Sequence, residues 1–320
     1  MRLPRVLPAL LIAASTLAGA QGYPSKPLRM LVGFPPGGAN DIVARIAAQK
    51  LSETLGQSVV VENRPGNAGV VAAEALAKAT PDGYTLMLGS TGTNAIAPAL
   101  TSKLPYDPVN AFVPVGLVGI APSALVVNAS VPARSIPELV ALAKSKPGKL
   151  TYASSGNGTT LHLGGELFKL LAGVDIVHIP YKGNAQALND VIGGQIDMIL
   201  SALPPALPLA KAGKVRILGV AMPERLKSMP EMPTVAEQGL PGYEMSTWYG
   251  IFAPAGTPPE AIEKIGTELR RAVADPKVRD LISAQGIEPL SSTPAEFRAF
   301  VNAELAKWAK VVKAAGIKGD

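Results

Sequence analysis

Leu28-Arg-Met-Leu-Val-Gly-Phe-Pro-Pro-Gly-Gly-Ala-Asn-Asp41 is a short apolar run that breaks into a glycine-rich loop and then opens the series Ile42, Val43, Ile46, Ala47, Leu51 and Leu55. Apolar residues at three- and four-residue intervals mark one face of a helix, so the stretch reads as strand, loop and helix. The plan returns in Leu150-Thr-Tyr-Ala-Ser-Ser-Gly-Asn-Gly-Thr-Thr160, which leads into Leu161 to Leu171 and closes at Gly173. Free backbone N–H groups in such a loop, with the positive end of a helix dipole behind them, bind an anion without a charged side chain. Two such loops facing each other form a clamp for something acidic.

Around each loop the chain repeats one order of elements. The strand Leu28 to Gly33 is followed by the strand Val59 to Asn63, a helix from Gly69 to Ala79 and the strand Tyr84 to Leu88. In the second half come the strand Leu150 to Ala153, the run Ile176 to Gly183, a helix through Ala187 to Ile192 and the strand Ile196 to Leu200. Both second strands end in a basic residue, Arg64 or Lys182, shortly before Gly-Asn-Ala. Strands alternating with helices call for parallel sheets covered by helices, and 320 residues exceed what one core usually holds.

The apolar stretch Phe112 to Asn128 is too long for a typical strand of about five or six residues and reads as a strand shared by two lobes. A second stretch, Tyr243 to Pro254, carries the chain back. These crossings set lobe 1 at residues 21–122 plus 246–320 and lobe 2 at 123–245, hinged near Ile120 and Thr247, with the binding site in the cleft between them. Thr257-Pro-Pro-Glu260 and Thr293-Pro-Ala-Glu296 carry the capping-box pattern. The second precedes Phe297, Phe300, Val301, Leu305, Trp308 and Val312, which read as a core face.

Arg2 and Arg5 precede the apolar run Val6 to Leu17 and the small residues Ala18-Gly-Ala20, which predicts a cleavable signal peptide at residues 1–20 and a periplasmic mature chain. The run is too short to span a membrane. With no cysteine, disulfides, thiolate nucleophiles and Cys-ligated metals are excluded. His162 and His178 lack metal-ligand spacing, and neither a metal nor a cofactor is expected. The net charge falls from +6 to +4 on loss of Arg2 and Arg5, a mild surplus. Nucleic acid is not an expected partner, because no Lys/Arg cluster is interleaved with aromatics, which make up 5% of the chain.

The first loop is neither a G-x-G-x-x-G fingerprint nor a Walker loop. Read alone, it is also compatible with a tight turn in which Asp41 caps the helix. As a binding loop it offers Phe34, Pro36, Gly37, Gly38, Ala39, Asn40 and Asp41. The second offers Ser154, Ser155, Gly156, Asn157, Thr159 and Thr160, with His162 in the first helical turn. A third polar turn, Leu88 to Asn94, adds Thr91, Gly92 and Asn94. Its counterpart, Met198 to Leu203, is nearly apolar apart from Ser201 and would line the body of a ligand. Tyr181, Lys182 and Arg64 stand at strand ends, where each cation either meets a ligand or pairs with a surface carboxylate. Ser154 with His162 also suggests a nucleophile and its base, but a hydrolase needs an oriented acid and a G-x-S-x-G elbow, and neither occurs.

From Tyr23 onward the chain resembles the Bug-type extracytoplasmic solute receptors of tripartite tricarboxylate transporter systems. The resemblance rests on Phe34-Pro-Pro-Gly-Gly-Ala-Asn-Asp41 with Ala44-Arg45, Glu62-Asn-Arg-Pro-Gly66, Pro81-Asp-Gly-Tyr84, Tyr152-Ala-Ser-Ser-Gly156, Ile179-Pro-Tyr-Lys-Gly183, Pro233-Thr-Val-Ala-Glu237 and Phe252-Ala-Pro-Ala-Gly-Thr-Pro258. It implies an α/β, two-lobed periplasmic-binding-protein fold of the type II, Venus-flytrap kind, each lobe a mostly parallel sheet flanked by helices. It further implies a non-enzymatic, monomeric receptor that pinches a small organic carboxylate, partly through ordered water, and passes it to a membrane permease of the tripartite type. Ser201 stands where many members have an aspartate able to receive an ammonium group, which argues against an amino-acid ligand. The alternatives are a periplasmic serine hydrolase using Ser154 and His162, or a ligand sensor for a membrane signalling partner.

Overall fold

A computed structural model describes residues 22–101, 103–226 and 229–315, so the expected signal peptide lies outside the described residues. Strand β1 (Leu28–Val32), helix α1 (Ala39–Leu55), strand β2 (Val59–Asn63), helix α2 (Val70–Ala77) and strand β3 (Thr85–Ser90) form the first unit. A short helix α3 (Ala97–Leu100) leads to β4 (Phe112–Asn128) and α4 (Ile136–Ser145). The second unit is β5 (Thr151–Ser154), α5 (Thr160–Ala172), β6 (Val177–Pro180), α6 (Asn184–Ile192) and β7 (Met198–Ala202). It continues through α7 (Leu203–Lys211) and β8 (Val215–Val220). The chain ends in β9 (Ser246–Pro254), α8 (Pro259–Ala274), α9 (Pro276–Ala284), β10 (Glu288–Pro289) and α10 (Pro294–Ala315).

β1 lies between β2 and β3, all parallel, and β5 lies between β6 and β7 in the same arrangement. The repeat read in the sequence is therefore a repeat of topology. Helices on both faces leave β1 almost wholly apolar and buried, as parallel strands require. α1 buries Val43, Ala44, Ala47, Ala48, Leu51 and Leu55 and stops at Gly56, whose φ of 68° ends the helix in a left-handed turn. α5 rides directly on the second sheet, because a Cβ at Gly165 would collide with the Tyr152 ring.

The 17-residue β4 serves both sheets. Phe112 to Pro122 pair antiparallel with β9, whereas Ser123 to Asn128 pair with β7 and β8. The strand thus passes from one sheet to the other between Pro122 and Ser123. Of the stretch Tyr243 to Pro254 expected to carry the chain back, Ser246 to Pro254 form the strand. β9 begins only at Ser246 and pairs with β3 and β4 of the first sheet. Met245 is tied to the second lobe, donating to the Ala221 carbonyl (2.8 Å) and accepting from the Ser123 N–H (3.2 Å). Gly242, at φ 82°, turns the chain shortly before this junction. Each lobe is thus a parallel three-stranded unit extended by antiparallel strands.

The two capping-box patterns fare differently. Thr293 and Glu296 exchange the reciprocal bonds, Glu296 N–H to Thr293 Oγ1 (3.2 Å) and Thr293 N–H to Glu296 Oε2 (2.8 Å). Thr257 instead donates to the Pro254 carbonyl at 2.8 Å, and α8 starts at Pro259 with Pro258 as its cap. Two prolines preset the helical entry and leave Thr257 one position too early to cap. α10 buries Phe297, Val301, Trp308 and Val312, with Phe300 and Leu305 packed at the edge. No described helix is long and apolar enough to cross a membrane.

Candidate binding cleft

The loops that follow β1, β3, β5, β6 and β7 converge on a cavity of about 620 Å³ between the lobes. In the first loop, Gly37 adopts φ 83°, a conformation that favours glycine. Its N–H donates to the Asp41 carboxylate at 3.0 Å, and so do Arg45 Nε and Asn63 Nδ2, each at 2.9 Å. Burial alone would raise the Asp41 pKa, but the bonds from Arg45, Gly37 and Asn63 outweigh it and hold the group below the usual carboxylate range. Asp41 is 3% exposed and braces the loop from beneath. Asn63 Nδ2 also donates to the Phe34 carbonyl (3.0 Å), fixing the loop to β2.

Gly38 is the N-cap of α1, and the first helical bond runs from Ile42 N–H to its carbonyl. The N–H groups of Ala39 and Asn40 thus have no partner inside the helix, and both residues line the cavity. Across the cleft, Thr159 caps α5. Its hydroxyl accepts from His162 N–H (3.3 Å) and donates to the Gly156 carbonyl (2.8 Å). The first-turn N–H groups of Thr160 and Leu161 are left free of helical partners, and these residues line the cavity too. Two helix N-termini therefore face one space. Lys182 and Tyr249 are the ionisable residues among those that line it, and no carboxylate does so among the described residues.

Of the residues expected from the sequence, Phe34, Pro36, Gly37, Gly38, Ala39, Asn40, Gly92, Ser155, Thr159, Thr160 and Lys182 line the cavity. The others stand behind it. Ser154 is fully buried, with Oγ 2.8 Å from His178 Nε2 and accepting from Gly156 N–H at 3.1 Å. The Ser154 partner is thus His178, which corrects the pairing with His162. Gly156, at φ 126°, and Asn157 turn the loop outside the lining. His162 Nδ1 accepts from Gly158 N–H (3.2 Å). Thr91 Oγ1 accepts from Trp248 N–H (2.9 Å) and anchors β9, while Asn94 Oδ1 accepts from Ser90 N–H (3.2 Å). Tyr181 donates to Asp190 (2.6 Å), and Ser201 accepts from Asn184 Nδ2 (3.0 Å). Arg64 pairs with Glu62 at 2.6 Å.

The cavity is completed by residues not expected to line it: Ala68, Ser90, Asn184, Ala185, Gln186, Pro205, Thr247, Tyr249, Gln285 and Ile287 among them. The repeated Gly-Asn-Ala after each second strand was a signal for Ala68, Asn184 and Ala185. Ala68 even holds φ 51°, rare for a residue with a Cβ. Thr247 and Tyr249 follow the two-residue period of β9. Gln285 and Ile287 come from the far end of the chain with no local mark.

Two lobes joined by crossing strands, with paired helix N-termini aimed into the space between them, are the architecture of a two-lobed solute-binding protein. Residues 43–317 match the model of the tripartite tricarboxylate transporter family receptor. The chain belongs to this family. It is 38% identical over 300 residues to protein BugT of Bordetella pertussis, covering 93% of this chain and 92% of that one. R. palustris Rpa4515, solved with adipate, is 37% identical with a TM-score of 0.88, covering 93% of this chain and all of that one. MatC of Rhodopseudomonas palustris, solved with bound malate, is 33% identical with a TM-score of 0.83, covering 91% of this chain and all of that one.

Proposed function

We propose that the protein is a periplasmic receptor, exported by residues 1–20, that closes lobe 1 (21–122 plus 246–320) and lobe 2 (123–245) on a small organic carboxylate. As a monomer it delivers the ligand, chemically unchanged, to a tripartite-type permease. The observation that carries this reading is the pair of helix N-termini facing across a cavity that no carboxylate lines among the described residues. The carboxylate is held by neutral donors: the N–H groups of Gly38, Ala39 and Asn40 on one side, those of Thr160 and Leu161 on the other, and the hydroxyls of Ser155 and Thr160. Gly37 and Gly156 N–H, with the Ser154 and Thr159 hydroxyls, hold the loops in shape instead. Ile42, Leu161, Pro205 and Ile287 give the rest of the ligand an apolar bed. Ser201, bonded to Asn184, offers no charge to an ammonium group. Full burial of Ser154 favours binding over hydrolysis, and the carboxylates held by the two R. palustris relatives support the ligand class.

The test is a thermal-shift panel of mono- and dicarboxylates with aliphatic and aromatic bodies, followed by small-angle scattering. A hit raises the melting temperature, survives incubation unhydrolysed and shrinks the radius of gyration. Ester turnover lost on Ser154→Ala, with no carboxylate shifting the melting curve, refutes the receptor.

A further inference from the structure

His162 and His178 are stacked at 4.1 Å between ring centroids with planes 17° apart, and Tyr152 stacks on His178 at 4.7 Å. Neither imidazole is among the residues that line the cleft. Each, however, holds one end of the second loop. His162 Nδ1 accepts from Gly158 N–H at 3.2 Å, and His178 Nε2 lies 2.8 Å from Ser154 Oγ, which accepts from Gly156 N–H and reaches the Gly156 carbonyl, each at 3.1 Å. An Nδ1 that accepts must be unprotonated. A proton there would set a donor against the Gly158 donor and break that bond. A second positive ring would also face it across the stack, at a separation where like charges repel.

We propose that the stacked pair His162 and His178 is the positioning element of the second anion loop: with both rings neutral it clasps residues 154–159 in their binding shape, and protonation releases them. The pair thereby sets an acid limit on ligand capture, an inference that rests on reading the cleft as an anion site. Other groups around the rings are consistent with it. On α5, Glu166 accepts from Tyr152 Oη at 2.6 Å and from Lys169 Nζ at 3.0 Å, so its charge is already partnered. Burial first, then the neighbouring His162, pushes the His178 pKa down to about 4, with Glu166 opposing and Lys169 adding to the shift. A folded-state value below the ordinary 6.5 means that the native fold resists a proton on His178, and that the second positive ring is added to the stack only as pH falls through the lowered value.

The sequence supplies its own reporters, since Ser-Gly occurs once, at Ser155-Gly156, and Asn-Gly once, at Asn157-Gly158. Carbonyl-¹³C serine or asparagine combined with ¹⁵N glycine therefore gives a single amide cross-peak for Gly156 or for Gly158 in the full mature chain without ligand. The Gly158 peak should move with the His162 ring signal and the Gly156 peak with the His178 ring signal, the latter near pH 4, while circular dichroism stays native. In His178→Gln, whose amide can still bond Ser154 but does not titrate, the Gly156 peak should keep its neutral-pH position through that range. Peaks that stay fixed while their rings titrate, a Gly156 peak that moves equally in the Gln variant, or all signals lost in one global transition would each overturn the clasp. The titration of the unmodified protein decides the matter even if the variant does not fold. It needs no ligand, so a carboxylate panel without a hit would sink the receptor reading and leave this one to its own result.

Discussion

Replacing Gly38 with valine separates the fold of the first loop from its capacity to bind. Gly38 sits at φ −83°, ψ 168°, ordinary extended backbone, and a Cβ built there meets only the Pro35 carbonyl at 3.8 Å. The folding cost is therefore that of a poor N-cap, about 0.5–1 kcal/mol. The new side chain must occupy the cavity that Gly38 lines and hold a carboxylate away from the N–H groups of Gly38, Ala39 and Asn40. A hydrogen bond to a charged acceptor contributes roughly 1.5–3 kcal/mol, so losing one weakens binding about tenfold and losing two a hundredfold or more. Isothermal titration with the best carboxylate of the panel gives the affinity, and urea denaturation gives the stability. Binding by Gly38→Val within twofold of the unmodified protein, at native-like stability, would refute the neutral-donor clamp.

Lys182→Ala should weaken binding less than about fivefold, the scale of one exposed charge pair, and Arg64→Ala should leave it unchanged because Arg64 is engaged with Glu62. Affinities measured at low and high salt should differ little for the same reason. Both indole N–H groups, of Trp248 and Trp308, donate to Glu304 Oε2 at 3.0 Å, and Trp248 stands between the cleft residues Thr247 and Tyr249. Ligand should therefore change the tryptophan emission, with the change lost in Trp248→Phe and kept in Trp308→Phe. Thr293→Ala should cost about 1 kcal/mol through loss of the α10 cap, read as a lower urea midpoint at unchanged slope.

The repeated units were legible because their signal is periodic. The spacing of Val43, Ala47 and Leu51 states which face is buried before any tertiary contact is known. The length of β4 was legible for a similar reason, since 17 apolar-rich residues exceed what one sheet needs. Tyr243 to Pro254 looks continuous in sequence, and the backbone bonds of Met245 tie its first residues to the second sheet. Within the site, glycines placed the loops, but the roles of polar side chains were hidden. Asp41, Thr91, Asn94 and Ser154 have the composition of ligand contacts, yet each turns toward the protein's own backbone or side chains. A hydroxyl or amide that positions a loop is chemically identical to one that meets a ligand. Geometry alone separates them.

The insertion of β9 between β3 and β4 bears on how the chain can fold. Residues 85–90 find one neighbouring strand in β1, close in sequence, but their other neighbour is not made until residues 246–254 have been synthesised. The second lobe completes most of its pairing from one continuous stretch, while the first closes through contacts of long sequence separation, the slow kind. A chain stopped before Ser246 would carry the whole loop over residues 154–159, yet expose β3 and the first part of β4 as open edges, ready to pair with another chain.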